Sequence, residues 1–76
     1  MTIDLHGFSV DDAIATLMNA LFEFNLNSHA KLEIITGKGE YILFNEVRRI
    51  LEQENYEYEE LTGKIIVYRN EDEFEI

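Results

Sequence analysis

The chain has 76 residues, of which 46% are hydrophobic and 29% are charged, and it contains no cysteine. This length fits one domain with one core, and the nonpolar fraction argues against intrinsic disorder. The lack of cysteine excludes disulfides and thiolate metal clusters. It also favours a reducing compartment, by default the cytoplasm. A formal net charge of -10 opposes long-range attraction to nucleic acid and anionic lipid, so any phosphate ligand needs local positive compensation.

The first two predicted elements are a short strand and a helix. Ile3 and Leu5 alternate with polar neighbours, which is typical of a strand with unlike faces, and Gly7 ends it. Ser9 suits an N-cap, and Asp12 follows three residues later, where an acidic side chain completes a capping box. The next nonpolar residues recur every three or four positions and predict a helix that packs on a sheet: Val10, Ala13, Ile14, Leu17, Leu21 and Phe24.

Polar residues interrupt and end this first helix. Asn19 and Glu23 lie within its most nonpolar stretch, Ala13 to Leu26, and Asn25 to Ser28 supply a stop. The N-terminus lacks a basic segment followed by a nonpolar run. We therefore expect neither a membrane-spanning helix nor an export signal.

A strand, a helix and a hairpin follow. Lys31 to Ile35 is short and nonpolar towards its end, which predicts a second strand. Tyr56 to Leu61 and Lys64 to Arg69 flank the two-residue turn Thr62-Gly63 and predict an antiparallel pair. Between the second strand and this hairpin, helical spacing predicts a helix with the following inner stripe: Leu43, Val47, Ile50, Leu51 and Glu54.

The order β-α-β-α-β-β predicts one α/β domain, an α+β sandwich in which two helices pack on a mixed four-stranded sheet. We assign residues 1–70 to this domain. Residues 71–76 are strongly acidic, and we expect them to form a tail that frays into solvent.

Two short motifs follow the first two strands: Asp4-Leu5-His6-Gly7 and Thr36-Gly37-Lys38-Gly39. If these strands are parallel neighbours, both motifs lie at the sheet edge where α/β proteins bind ligands. Gly37 and Gly39 allow a sharp turn and a close backbone approach, and the next helix offers free amides. Lys38 adds a cation, and the Thr36 hydroxyl can hold a phosphate oxygen or a water, so the second motif predicts a phosphate site.

Asp4 and His6 are two residues apart on the first strand, so their side chains share one face at a Cα spacing of about 7 Å. This pair suits phosphodiester hydrolysis, with His6 transferring a proton and Asp4 orienting the imidazole or holding a metal-bound water. A divalent metal on Asp4 is compatible with the sequence but not required by it. His29 precedes the second strand, at the opposite edge, so we assign no metal site.

At these two motifs the chain resembles the Smr (small MutS-related) domain family, and the resemblance runs from about Ile3 to Tyr68. It implies a fold like the C-terminal domain of translation initiation factor three and an activity in nicking DNA or cleaving RNA, including messenger RNA on stalled ribosomes. Asp4 and His6 would be catalytic. The implied phosphate-binding residues are Gly7, Thr36, Gly37, Lys38 and Gly39.

The chain departs from the family pattern just after the glycine motif. Tyr41 stands where family members often have glycine, and Leu43-Phe44 replaces a Leu-Arg pair, which removes one expected phosphate contact. Tyr41 either stacks on a base of single-stranded nucleic acid or packs against the loop, and we favour packing. Arg48 and Arg49 either follow a nucleic-acid backbone or pair with Glu52 and Glu46, and we favour pairing.

We interpret the chain as a minimal stand-alone Smr domain, a nucleic-acid-binding endonuclease that acts on RNA or ribosome-associated messenger RNA ahead of DNA. Because so few cations neutralise few phosphates, we expect the ribosome or another protein to deliver the substrate. We expect no membrane partner. The alternative is a noncatalytic adaptor that binds a basic protein through Glu57, Glu59 and Glu60.

Overall fold

The computed structural model describes residues 1–27 and 29–69. Its elements follow the predicted order β-α-β-α-β-β: β1 (Thr2–Asp4), α1 (Val10–Leu26), β2 (Lys31–Ile35), α2 (Tyr41–Gln53), β3 (Glu57–Leu61) and β4 (Lys64–Tyr68). The predicted acidic tail, residues 71–76, lies outside the described residues, as does Ser28 at the predicted end of the first helix.

The four strands form one mixed sheet in the order β1-β2-β4-β3. β1 is parallel to β2, with Ile3 opposite Ile34, and β4 is antiparallel to both β2 and β3. The predicted parallel neighbours and the predicted hairpin are therefore confirmed. Because Ile35 pairs with Lys64, the hairpin turn lies at the same end of the sheet as the C-terminal ends of β1 and β2.

Both helices pack on one face of the sheet. The residues that β2 and β4 direct to this face belong to the same buried cluster as the inner residues of the helices: Leu32, Ile34, Ile65 and Val67. The opposite face carries charged side chains, including Lys64, whose Nζ lies 3.1 Å from Glu33 Oε2. β2 alternates between buried and less buried residues, as a sheet with one core face should, whereas β4 also buries Ile66, on the face opposite to the helices.

The helix boundaries follow local chemistry. The Ser9 hydroxyl accepts a hydrogen bond of 3.2 Å from the Asp12 amide, which confirms the predicted N-cap of α1. At its other end, the Arg69 guanidinium donates to the carbonyls of Phe24 and Asn27, which the end of the helix leaves free, and also to the carbonyl of His29 beyond the helix. Neither of the helices in the described ranges is long and nonpolar enough to cross a membrane.

The inner stripe of α2 is confirmed at Leu43, Val47, Ile50 and Leu51, all of which are buried. The prediction is wrong at Glu54, which is exposed. The helix ends at Gln53, so Glu54 is its C-cap and no longer follows the helical spacing that would have directed it inward.

Candidate functional site

A tight turn after β1 presents the first motif to solvent. The Leu5 side chain is fully buried, and its amide donates a 2.7 Å hydrogen bond to the Ile35 carbonyl, which anchors the end of β1 to β2. The Phe8 amide then donates to the Leu5 carbonyl at 3.0 Å, and Gly7 lies at φ +80° within the turn so formed. His6 therefore occupies an exposed corner directly beside Asp4.

Asp4 and His6 form a hydrogen-bonded pair, as predicted, although His6 lies in the turn after β1 and not on the strand itself. His6 Nδ1 lies 2.7 Å from Asp4 Oδ1, and the same oxygen accepts the His6 backbone amide at 3.1 Å. An ionised carboxylate only accepts, so Nδ1 carries the proton of this bond and Nε2 is the ring nitrogen that is available to a ligand. The side chains of His6 and Asp4 are 67% and 51% exposed, respectively, so a ligand has direct access to both.

Each member of the pair shifts the pKa of the other. The hydrogen bonds that His6 donates hold the pKa of Asp4 below its ordinary value of 3.8. The hydrogen bond to Asp4 and then the charge of Asp4 raise the pKa of His6 above its ordinary value of 6.5, with a smaller contribution from the charge of Glu40. The pair therefore favours an ionised carboxylate beside an imidazole that holds its proton more strongly.

The second motif, which we call the glycine loop (residues 36–39), lies against this turn. The amides of Thr36 and Gly37 both donate to the Gly63 carbonyl in the hairpin turn, at 2.9 and 3.0 Å. Gly37 has φ +93°, and a Cβ atom built on it would lie 3.0 Å from the Cβ of His6. The structure thus brings the two motifs into contact, and the contact needs a residue without a side chain at position 37.

Free backbone amides follow at the end of the loop. No acceptor within residues 1–27 and 29–69 bonds the amides of Lys38 or Gly39. The N-cap of α2, Glu40, makes no side-chain capping bond, and the first amides of any helix lack intrahelical partners. Together with the exposed Lys38 side chain, these donors provide the local positive potential that an anion requires.

Thr36 departs from the prediction. Its side chain is fully buried, because strand alternation directs residue 36 to the same side as Leu32 and Ile34. Its hydroxyl has no hydrogen-bond partner in the described part of the chain. The predicted contact between this hydroxyl and a surface phosphate is therefore not available in this conformation, and Thr36 contributes through its backbone.

Glu40 is a site residue that the sequence analysis missed. Its Oε2 accepts a 3.2 Å hydrogen bond from the Gly7 amide, so one carboxylate links the start of α2 to the turn that carries His6. The Gly7 amide, predicted to bind phosphate, is thereby already occupied. The available signal was an acidic residue at a helix start, but a glutamate there is usually read as interacting with the helix dipole alone.

The described residues hold no group of three side chains of the kinds that bind metal ions. Around Asp4 they offer one carboxylate and one imidazole, and Oδ1 already accepts both bonds from His6. His29 lies before β2, at the opposite end of the strand from Asp4, as expected, and its carbonyl accepts from Arg69. A divalent cation on Asp4 stays a prediction.

Two of the open grooves that border the glycine loop meet at Tyr41. One, of about 420 Å³, runs between the loop, Phe44 and Leu61, and the other, of about 540 Å³, runs between the loop, Phe8 and Ile42. Tyr41 lines both grooves. Its side chain is 74% exposed, so the favoured interpretation that Tyr41 packs against the loop is wrong.

The two arginines of α2 form ion pairs. Arg49 Nη2 lies 2.7 Å from Glu46 Oε1, as predicted. Arg48 pairs with Glu60 on β3, at 3.5 Å, instead of with Glu52. The Glu52 carboxylate is occupied by another partner, because it accepts a 2.5 Å hydrogen bond from the Tyr58 hydroxyl.

Comparisons with known proteins agree with this fold. A family model described as Smr domain matches residues 3–66. The Smr domain of Thermus thermophilus MutS2 is similar with a TM-score of 0.82 at 23% identity, covering 91% of this chain and 98% of that one. The human small-MutS related domain has a TM-score of 0.75 at 30% identity over 91% and 100% of the two chains, and the B3BP Smr domain has 0.79 at 28% over 91% and 77%. No curated protein matches the chain.

Proposed function

Because the chain belongs to the Smr domain family, we propose that it is a nucleic-acid-binding endonuclease that cleaves phosphodiester bonds. Smr domains generally bind nucleic acid, and the family is associated with nuclease function. The observation that carries the proposal is the contact between the Asp4–His6 pair and Gly37, because it sets a proton-transfer group beside a loop of free amides. We place RNA, including messenger RNA on the ribosome, ahead of DNA as the substrate, because the family resemblance favours that order.

In the proposed mechanism, Asp4 fixes the imidazole of His6 with Nε2 directed at the substrate. Nε2 either takes a proton from the nucleophile as it bonds to phosphorus or gives a proton to the oxygen that leaves as its bond to phosphorus breaks. The amides of Lys38 and Gly39 bind the phosphate oxygens, on which negative charge increases in the transition state. Lys38 supplies the local cation.

The charge of the protein limits how tightly it binds a strand by electrostatics alone. Against a net charge of -10, the loop contributes one lysine and a few amide dipoles. Affinity from phosphate contacts scales with the number of phosphates that are neutralised, and that number is small here. This supports delivery of the substrate by a carrier such as the ribosome.

The test is a cleavage assay on RNA and on supercoiled DNA with purified wild-type protein, Asp4→Asn and His6→Ala. We expect His6→Ala to lower the rate by about 10² to 10⁴-fold, which is the usual size of general acid–base catalysis, and Asp4→Asn to lower it by less. His29→Ala is the matched control, because it removes a histidine whose backbone carbonyl, not its ring, makes the observed contact.

Equal background cleavage by all four proteins would contradict the proposal. That result would favour the noncatalytic adaptor, which would bind a basic protein surface through Glu57, Glu59 and Glu60. These three side chains are exposed on β3, at one edge of the sheet. If His29→Ala and His6→Ala each lost cleavage, that result would also count against a specific role for the Asp4–His6 pair.

A further inference from the structure

Large nonpolar side chains are exposed around the glycine loop. Tyr41 is 74% exposed, Ile42 is 70% exposed and Phe8 is 40% exposed. Phe8 and Ile42 line one groove together with Tyr41, so the three side chains belong to one surface. Grouped nonpolar exposure of this kind, bordered by polar residues, marks a contact surface rather than the scattered exposure that is normal for a soluble protein.

Tyr41 lies between the two grooves. It is the first residue of α2 and directly follows the glycine loop, and Lys38 and Gly39 line both grooves as it does. The loop, with its free amides and Lys38, therefore separates two grooves that are lined mainly by nonpolar atoms. One side is closed by Phe44 and Leu61, and the other by Phe8 and Ile42.

On the basis of the proposed function, we propose that the two grooves hold the nucleobases on either side of the phosphate bound by the glycine loop, with Tyr41 as the stacking surface. The substrate is then an unpaired strand. A base in a duplex is covered by its neighbours on both faces, whereas an unpaired base exposes a face that an aromatic ring can stack on.

The charges of the protein leave few phosphate contacts to such a strand. Four of the six lysine and arginine side chains are already engaged: Lys64, Arg48 and Arg49 with carboxylates and Arg69 with backbone carbonyls. Lys31 begins β2, at the far end of that strand from the loop, which leaves Lys38 at the site. Because phosphate contacts are few, base stacking is the source of affinity that this surface offers.

Other occupants fit the surface less well. The segment between the grooves carries free amides and a lysine beside the Glu40 carboxylate, which itself accepts from the Gly7 amide. The free amides and the lysine match phosphates between bases and not a continuous nonpolar peptide face. The grooves also share their residues with the loop that contacts His6, so an occupant of both lies next to the candidate catalytic pair.

The test measures the binding affinity of each protein for labelled oligonucleotides by fluorescence anisotropy at low salt, and compares the affinities between probes and between variants. The probes are hexauridylate, a hexamer of abasic ribose phosphates and a short RNA duplex. The proteins are wild type, Tyr41→Ala, Tyr41→Phe and Phe22→Ala. Phe22 is the matched control, because it is an exposed aromatic residue within α1 that lines neither groove beside the glycine loop.

We expect hexauridylate to bind wild type about tenfold more tightly than the abasic hexamer or the duplex, and Tyr41→Ala to lose most of that difference. Tyr41→Phe retains the ring and should bind like wild type, as should Phe22→Ala. Because Tyr41 is largely exposed, its replacement leaves the core intact, and a thermal melt of each variant verifies this.

Equal affinities for hexauridylate and the abasic hexamer would overturn the proposal, as would wild-type affinity in Tyr41→Ala. The cleavage assay on His6→Ala is scored separately from binding. Loss of cleavage in His6→Ala with unchanged binding in Tyr41→Ala would reject the base-stacking surface while supporting the nuclease. Base-dependent binding without any cleavage by wild type would retain the surface and reject the nuclease.

Discussion

At the scale of single residues, Asp4 and His6 set the pH range over which the turn after β1 is held. The pKa of His6 is raised above 6.5, so its part of the pairing is complete below pH 6.5 and is lost as pH rises through the raised value. The pKa of Asp4 is lowered below 3.8, so its part is complete above pH 3.8 and is lost as pH falls through the lowered value. The pair is therefore strongest between pH 3.8 and 6.5.

Replacing Asp4 by asparagine should return the pKa of His6 towards 6.5, because it removes the carboxylate that raises it. Glu40→Gln should lower the same pKa by less, since Glu40 acts only through its charge while the amide oxygen of glutamine still accepts from Gly7. The measurement is an NMR titration of the imidazole Hε1 signal. The signal of His29 is the internal control, because this residue precedes β2 and so lies at the opposite end of that strand from Asp4. An unchanged His6 titration in Asp4→Asn would refute the pairing.

The sequence alone predicted the pairing but not every partner. The spacing of Asp4 and His6 predicted that the two side chains lie close together, but the reason was incomplete, because β1 ends at Asp4 and His6 lies in the following turn. The roles of Thr36 and Glu40 depend on which way one side chain points at the end of β2 and on a hydrogen bond between residues 33 positions apart. Neither property follows from local pattern. Tyr41 was misjudged because a tyrosine beside a small core usually packs.

At the scale of elements, the site depends on the close approach of the glycine loop to the turn after β1. A Cβ on Gly37 would lie 3.0 Å from His6 Cβ, and one on Gly63 would lie 3.2 Å from the Lys38 amide nitrogen. Both distances are shorter than most contacts of real Cβ atoms, so a side chain at either position would need its neighbour to shift by a few tenths of an ångström. The loop is thus enclosed between the turn that carries His6 and the hairpin turn.

Gly37→Ala and Gly39→Ala form a matched pair that separates backbone strain from crowding. Both positions have positive φ, but a Cβ on Gly39 meets no atom within 4 Å. We expect Gly39→Ala to lower the free energy of unfolding by about 1 kcal/mol, from strain alone. Gly37→Ala should lower it by a further 1 to 3 kcal/mol, roughly, and displace His6. Urea denaturation measures both, and equal losses would show that position 37 is not crowded.

Nonpolar spacing and helix caps were enough to predict all six elements. The periodic stripes and the Ser9 cap depend on residues that are close together in the chain, so a single sequence is enough to identify them. The position of β4 between β2 and β3 was not predicted, because strand order depends on pairing between residues such as Ile35 and Lys64 that are distant in the chain. Glu54 was misplaced because the pattern was extended one residue beyond the true end of α2.

At the scale of the whole molecule, the net charge of -10 and the single lysine of the loop oppose each other. The excess of carboxylates repels a polyanion at distances up to the Debye length, about 10 Å at 0.1 M salt, whereas Lys38 acts only on the phosphate it touches. Binding should therefore be weak and should depend on salt less steeply than for a basic nucleic-acid-binding domain.

Lys38→Gln tests this balance. We expect the slope of the logarithm of the binding constant against the logarithm of salt concentration to fall by about 0.7 for a single strand, because one phosphate contact is lost. Lys31→Gln is the control, since Lys31 lies at the other end of β2. Anisotropy with hexauridylate across a salt series gives both slopes. Equal slopes for Lys38→Gln and wild type would remove Lys38 from the phosphate site.

The place of β4 in the sheet also bears on when the site comes into being. β4 is the last strand in the described ranges but pairs with β2, and the Gly63 carbonyl beside it is the acceptor for the amides of Thr36 and Gly37. On the ribosome the N-terminal segments emerge first. A nascent chain therefore displays both motifs well before it can join them, and translation halted ahead of the hairpin would yield a product with every predicted site residue and no assembled site.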